Sequence, residues 1–371
     1  MRTEVAELNR AGVSGFVEKM SHVVKKRKLD KSRQDRLYFD SYTDVTIHEE
    51  MIADYQRTNT YRTAIQRNSE LIRGKVVLDV GAGTGVLSIF CAQAGAKKVF
   101  AVEACSIAEQ AARIVRQNNL QDRVEVIRGT VETVELPEPV DVIVSEWMGY
   151  ALLHESMLNS VLYARDKWLK PGGLILPSRA ELYIAPVSDP VVEDRLNFWY
   201  TVEEQYGVDM SCMSEFAQRC IMNSEITMNT VSGQDVLSHP ARFAELDLHS
   251  VTAEELRSVR GQFRCESFGS ASVGAFCVYF TVTFPCQDNK PPALVLSTSP
   301  FMPETHWKQA VLYLDAPVEV VQDTVVAGEV RMYPSEESSR HICIHVDYTL
   351  GAEKRQSKTF SISDWSSEAQ S

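Results

Sequence analysis

The chain of 371 residues lacks any apolar run of the ~18 residues needed to span a bilayer, and its first residues lack the hydrophobic core of a secretory signal. A soluble, intracellular protein without direct membrane contact is the expectation. Eight cysteines are present, Cys91, Cys105, Cys212, Cys220, Cys265, Cys277, Cys286 and Cys343, but no C-x-x-C pair. In a chain of this length that reads as reduced thiols, not a disulfide scaffold. No H-E-x-x-H segment or Asp cluster marks a metal site, so no metal is expected. Basic charge is scarce beyond the first 36 residues: those hold ten Lys/Arg and five Asp/Glu, whereas the remainder holds 28 and 45. An acidic body repels nucleic acid and attracts basic peptides, so direct nucleic-acid binding is not expected.

What is present divides the chain into three parts. Residues 1–36 mix Gly, Ser and charge without periodicity and read as a disordered basic tail. Within it "KKRKLD" (Lys25 to Asp30) sets four positive charges side by side, the pattern of a nuclear localisation signal and also of a solvated charge run. The nucleus is the expected location. Over 37–177, a helix-favouring segment from Asp40 to Asn68 precedes the short strands "KVVLDV", "KVFAV", "RVEVIRG" and "VDVIVSE", which alternate with helical segments, and "WLKPGGLILPSR" adds one more strand. That alternation predicts a parallel, Rossmann-like α/β domain. Over 178–371 the strands "CVYFTVTF", "ALVLSTS", "QAVLYL", "PVEVVQ" and "RHICIHVDYTL" are spaced by turn residues. They predict an antiparallel β-barrel or sandwich domain. From about 190 to 222, two helices carrying Phe198, Trp199, Tyr200, Tyr206, Met210, Met213 and Phe216 form an aromatic arm suited to docking on a second subunit, hence a homodimer.

The stretch "VLDVGAGTG" puts Asp79 at a strand end, where it is a candidate cofactor-binding residue, followed by Gly81, Gly83 and Gly85. Glycines let the backbone pass close to a ligand at the carboxyl edge of a parallel sheet. The spacing misses the dinucleotide pattern G-x-G-x-x-G by one position, which argues against a pyrophosphate. Glu103, at the end of the next strand, is placed to accept both ribose hydroxyls, and Glu132 in "GTVETVELP" to face an adenine amino group. Together these describe a nucleoside pocket without phosphates. S-adenosyl-L-methionine, with S-adenosyl-L-homocysteine as its product, is the common cofactor that needs one.

In "SEWMGYALLHES" (Ser145 to Ser156), Glu146 and Glu155 bracket a mostly apolar run with no Lys or Arg between them. Two such acids could hold a metal, act as acid and base, or clamp a planar cation. The clamp fits best beside a methyl-donor pocket. A sulfonium and a guanidinium ~4 Å apart repel by about 4 kcal/mol at an effective dielectric of ~20. Two carboxylates cancel that repulsion and fix the guanidinium by charge-assisted hydrogen bonds.

From Leu37 onward the chain resembles the protein arginine N-methyltransferases, type I, in "YFDSY", "IHEEMIAD", "RT", "VLDVGAGTG", "SEWMGYALLHESML", "GVDMS" and "THWKQ". The paired-glutamate loop together with "THW" is highly specific. The resemblance implies that Glu146 and Glu155 grip the substrate guanidinium, that Glu103 holds the ribose and Glu132 the adenine, and that Gly81 and Gly83 line the donor. It also implies that His48 and Arg57 lie over the cofactor, Arg57 pairing its carboxylate, and that Tyr38, Tyr42, Met51 and Met157 shape the pocket, the two methionines leaving room for asymmetric dimethylation. His306 would neighbour the acceptor and pair with Asp54, a dyad able to accept a proton. His154 stands where many members carry an aromatic residue, a departure that bears on substrate preference.

The expectation is thus a nuclear enzyme that methylates arginine in histone tails and other basic proteins, giving monomethyl and asymmetric dimethyl products in transcription and chromatin regulation. A methyltransferase of a small guanidino metabolite and a non-catalytic co-regulator are the alternatives. In "RHICIHVDY", His341, Cys343 and His345 share one strand face. Since the opposite, apolar face must be the buried one, a solvated face is expected there in place of a zinc site. Met222 and Met228 read as gap-filling apolar residues.

Overall fold

The computed structural model describes residues 31–286 and 293–362, so the basic cluster at 25–30 lies outside the described residues. A first helix, α1 (Lys31–Ser41), takes in residues assigned above to the disordered tail. It is held from a distance: the Gln34 side chain accepts from the Ser339 amide at 3.1 Å. No pattern within the tail itself signals that partner. Next come α2 (Val45–Ala53), α3 (Tyr55–Arg67) and the short α4 (Ser69–Ile72). Asp54 separates α2 from α3, and its carboxylate caps the latter by accepting from the Arg57 amide at 2.9 Å.

The alternating segment forms β1 (Val76–Val80), α5 (Val86–Gln93), β2 (Lys98–Glu103), α6 (Ala108–Gln117), β3 (Val124–Arg128), β4 (Val140–Val144), α7 (Leu158–Trp168) and β5 (Leu169–Leu176). The sheet runs β3-β2-β1-β4-β5, all parallel. β1 is buried along its whole length because helices cover both faces of such a sheet. The order reverses between β1 and β4. That switch point opens a crevice at the carboxyl ends of the two strands, so the turn after β1 and the loop after β4 face one another.

The second half holds β6 (Arg179–Val187), the arm helices α8 (Pro190–Tyr206) and α9 (Met213–Ile221), and then β7 (Thr227–Asn229), β8 (Ala241–Asp247), β9 (Val259–Glu266) and β10 (Ala271–Phe284). β11 (Leu294–Ser297), β12 (Gln309–Val320), β13 (Val325–Pro334), β14 (Ile342–Leu350) and β15 (Gln356–Ser361) complete it. One antiparallel sheet runs β7-β12-β10-β6-β8 with β11 on β10; the other runs β15-β14-β13-β9. Their inner faces meet where the Phe276 ring packs edge-on against Phe263 and Tyr348. "QAVLYL" and "PVEVVQ", read above as two strands, are one: β12 continues through Pro317, where the register against β10 shifts. Proline is tolerated at such an irregularity because no ladder hydrogen bond is lost.

α8 starts at Pro190 under an Asp189 cap and ends at Gly207 in the left-handed region. Both arm helices form where expected, and Phe198, Tyr200, Tyr206 and Phe216 are exposed on them. The two halves of the chain are joined firmly. Tyr61 of α3 packs edge-on to Phe284 of β10 at 5.0 Å, and Asn68 donates to the Pro285 carbonyl at 2.8 Å.

Candidate active site

A cavity of about 540 Å³ lies over the carboxyl ends of β1, β2 and β4, roofed by α1 and α2. Glu146, Glu155, Glu103, Glu132, Gly81 and Gly83 all line it, as do His48, Met51, Arg57, Met157, Tyr38 and Tyr42. Residues far apart in sequence thus share one pocket, as where the Tyr38 hydroxyl meets the Met157 sulfur, 119 positions away, at 3.6 Å. The volume is that of an ordinary small-molecule site.

Its floor is the glycine turn. Gly81 has φ +70°, a left-handed conformation that favours glycine, and a Cβ there would displace the flexible Met157 side chain, whose methyl carbon would lie 2.2 Å away. Glu103 projects from the end of β2, accepting from the Gly83 amide at 2.7 Å with one oxygen and from the Cys105 amide at 2.7 Å with the other. Glu132 accepts from the Ser160 hydroxyl at 2.7 Å. Asp79 lies elsewhere: it sits beneath the turn, fully buried, accepting from the Ser88 hydroxyl at 2.6 Å, and is not part of the cavity lining. Alternation along β1 turns its side chain away from the crevice. Burial, partly offset by Ser88, raises its carboxyl to about 7.

Glu146 follows β4 directly. One of its oxygens takes two hydrogen bonds from Arg57, from Nε at 3.0 Å and Nη2 at 2.9 Å, and this pair is 7% and 8% exposed. The other oxygen accepts from the Met148 amide at 3.2 Å. Arg57, expected to pair with the cofactor's carboxylate, here joins Glu146, and its Nη1 donates to the Met51 carbonyl at 3.1 Å. Glu146 thus already holds one guanidinium, through two charge-assisted hydrogen bonds that share a single carboxylate oxygen.

Glu155 reaches the cavity from the far side of the loop, and the loop pays for that in backbone strain. Ala151, Leu152, Glu155 and Ser156 all have positive φ, between 47° and 75°. Each costs an ordinary side chain about 1–2 kcal/mol. Gly149 is required by close approach: a Cβ there would stand 2.0 Å from the His154 carbonyl oxygen. The Glu155 carboxylate accepts from the Tyr42 hydroxyl at 2.8 Å. Burial, together with the neighbouring Glu146, raises it from 4.5 to about 7, against the opposing hydrogen bonds of Tyr42 and Tyr38. Low-dielectric surroundings and a nearby like charge define a carboxylate poised for a cation.

His48 is buried and hydrogen-bonds the Tyr42 carbonyl through Nε2 at 3.0 Å, so that nitrogen carries the proton. Asp54 and His306 form the expected pair, Nδ1 to Oδ2 at 2.7 Å, with the His306 amide donating to the same oxygen at 3.0 Å. Burial pushes the Asp54 carboxyl up, but the hydrogen bonds from His306 and the Arg57 amide outweigh it and hold the group below its ordinary range. Neither residue lines the cavity; they stand behind Arg57, at the junction of α2, α3 and the β domain. Trp307 next to them donates to the Met148 carbonyl at 2.8 Å, tying "THW" to the glutamate loop.

His154 is buried, stacked between Tyr150 and His341, and burial holds its imidazole down to about 3. His341 is therefore not on a solvated face as expected, since it precedes β14 and turns inward; Cys343 and His345 are half-buried, and His345 bonds Thr359. Among the described residues no group of three His, Cys, Asp or Glu could hold a metal. Sequence reasoning missed Asp35, Ser339 and Arg340, which also line the cavity. Ser339 and Arg340 come from the β13–β14 hairpin, and no local pattern there signals the site.

Comparison with known proteins agrees with this geometry. A methyltransferase-domain profile matches residues 77–173, and a profile described as the arginine methyltransferase oligomerization subdomain matches residues 178–353. Protein arginine N-methyltransferase 6 of Danio rerio is 70% identical over 343 residues, 92% of this chain and 97% of its own. Its counterpart in Xenopus tropicalis is 54% identical over 91% of this chain and 98% of its own. Among solved structures, a Trypanosoma brucei PRMT1 enzyme–prozyme heterotetramer with AdoHcy matches with TM-score 0.78 and 34% identity, covering 87% of this chain and all of its own. A protein arginine methyltransferase 6 structure with SAH matches with TM-score 0.66 and 29% identity, over 85% of this chain and all of its own.

Proposed function

The chain belongs to the protein arginine N-methyltransferases, and from that premise we propose that it methylates arginine in basic proteins, histone tails among them, to monomethyl and asymmetric dimethyl products. The observation that carries this reading is the convergence of Glu146 and Glu155 on the cavity that also holds the glycine turn and Glu103. S-adenosylmethionine supplies a methyl group on a cationic sulfur. The cavity fits it: Gly81 leaves the backbone bare, Glu103 offers a carboxylate for ribose hydroxyls, and Glu132 lies beyond it.

The chain's own part is to bring a second cation alongside. Glu146 and Glu155 neutralise the acceptor guanidinium, which otherwise meets about 4 kcal/mol of repulsion. Their hydrogen bonds fix its plane, so one terminal nitrogen faces the methyl group in line. That nitrogen forms its new bond to carbon as the carbon–sulfur bond breaks, and the product guanidinium then sheds a proton. That proton passes to solvent, because the Asp54–His306 pair stands outside the cavity lining. Met51 and Met157, unbranched thioethers on the cavity wall, support a site with room for a second methyl on the same nitrogen.

Three further parts of the reading rest on the sequence and the arm. The net charge of −12 favours basic protein substrates. Lys25 to Lys28 supports a nuclear address and a role in transcription and chromatin regulation. Exposed aromatics on α8 and α9, with the oligomerization-subdomain match, support a homodimer.

The test is incubation of the full chain with methyl-labelled donor and a histone or Gly/Arg-rich protein, followed by amino-acid analysis. Label in monomethyl and asymmetric dimethylarginine is expected. Label on lysine or nucleic acid, or symmetric dimethylarginine, would overturn the assignment.

A further inference from the structure

Glu155 is a main-chain problem as much as a side-chain one. Its backbone stands at φ +75° and that of Ser156 at +61°, so something outside the loop must hold the turn against relaxation. The residue that does so comes from the β13–β14 hairpin, 185 positions away: Arg340 donates from Nη1 to the Glu155 carbonyl at 2.8 Å. The Glu155 amide in return donates to the Arg340 carbonyl at 2.6 Å, and the Ser156 hydroxyl to the Ser339 carbonyl at 2.5 Å.

The same guanidinium has a second set of partners. Its Nε and Nη2 donate to Asp35 of α1 at 3.0 and 2.6 Å, and its plane lies 4.0 Å over the Tyr38 ring. Tyr38 packs edge-on to Tyr42 at 5.2 Å, and Tyr42 gives the hydrogen bond that holds the Glu155 carboxylate. One side chain therefore meets both routes that fix Glu155: the main chain directly, and the carboxylate through two packed tyrosines. A planar guanidinium reaches both at once with separate nitrogens, whereas a lysine has one nitrogen to share between Asp35 and the Glu155 carbonyl. An ordinary surface ion pair would explain the Asp35 contact alone. It would not explain the bond to a strained carbonyl.

We propose that Arg340 is a positioning residue for methyl transfer, locking the Glu155 main chain in its left-handed conformation and thereby aiming the second carboxylate at the acceptor guanidinium. This rests on the arginine-methyltransferase reading. Arg340 itself need touch neither donor nor acceptor.

The experiment compares the full-length wild type with Arg340→Gln, Arg340→Lys and a control, Arg355→Gln, whose partner is the partly exposed Asp347 on the same sheet. kcat and KM for a Gly/Arg-rich peptide are measured at saturating donor, S-adenosylhomocysteine affinity by calorimetry, and Tm by scanning. Arg340→Gln is expected to lower kcat about ten-fold or more while Tm falls by less than about 5 °C, with Arg340→Lys between it and the wild type. Arg355→Gln should match the wild type. If Arg340→Gln melts earlier than that, Arg340→Lys decides by the same criterion. A wild-type kcat in the deciding variant, or a loss confined to KM or to donor affinity, overturns the inference while leaving the reading intact. A wild-type chain that methylates no arginine overturns the reading beneath it.

Discussion

Replacing Tyr42 by phenylalanine removes one hydroxyl and asks what sets the charge of Glu155. That hydroxyl lies 2.8 Å from the Glu155 carboxylate and donates more strongly to the ionised form than to the neutral one. In the wild type, burial and the charge of Glu146 raise Glu155 to about 7, with Tyr42 pulling the other way. A hydrogen bond to a charged group contributes about 1.5–3 kcal/mol, and one pKa unit corresponds to about 1.4 kcal/mol, so its loss should raise Glu155 by about one to two units. The clamp needs the carboxylate ionised, and kcat/KM reports the free enzyme. The acid limb of kcat/KM for a peptide substrate, near pH 7 in the wild type, should therefore move to a higher pH in Tyr42→Phe. Activity should fall about five- to fifty-fold at pH 7 and recover by about pH 10. A uniform loss at every pH, or a limb that stays put or moves to lower pH, would refute the reasoning.

Asp79 offers a stability test. Burial raises its folded-state value from 3.8 to about 7, so between those limits the folded chain keeps a proton that the unfolded chain has released. The stabilisation this group contributes is complete below about pH 4 and is lost as pH rises through about 7; it amounts to something on the order of 4 kcal/mol. Asp79→Asn should flatten that part of the unfolding free energy measured from pH 5 to 8, and an unchanged slope would contradict the account. Gly149→Ala forces a Cβ to within 2.0 Å of the His154 carbonyl oxygen. It should leave the fold and S-adenosylhomocysteine binding in place but cut peptide methylation by about ten-fold or more, whereas normal turnover would show the loop tolerates the shift. Replacing both Tyr206 and Phe216 by serine should yield a monomer by light scattering, and a persistent dimer would show that the arm is not the interface.

The first domain was legible because its signals are local. Five apolar-rich residues from Val76 to Val80, a glycine turn and a helix announce one βα unit, and its repetition announces the parallel sheet. The β domain was only partly so. β8 carries Arg242 and Glu245 in mutual contact, so its exposed face hides the strand pattern, and β12 runs through a proline that usually ends one. At the site, the paired glutamates stood out as acids in an apolar loop, but their supports did not. Arg340 and Asp35 lie in a hairpin and a helix that neither neighbour the loop in sequence nor show a motif. Asp79 was misread for a related reason: its position at the strand end is visible in sequence, but the face it points to depends on the pleat.

The most direct check of the two-carboxylate clamp is the rate of methyl transfer to an arginine peptide by Glu155→Gln at saturating donor, with donor-analogue affinity measured in parallel. Removing one of two charges that face a buried cation costs about 3 kcal/mol or more, so the rate should fall at least about a hundred-fold with S-adenosylhomocysteine affinity nearly unchanged. A variant that turns over near the wild-type rate, or one whose whole loss is explained by weaker donor binding, would contradict the account.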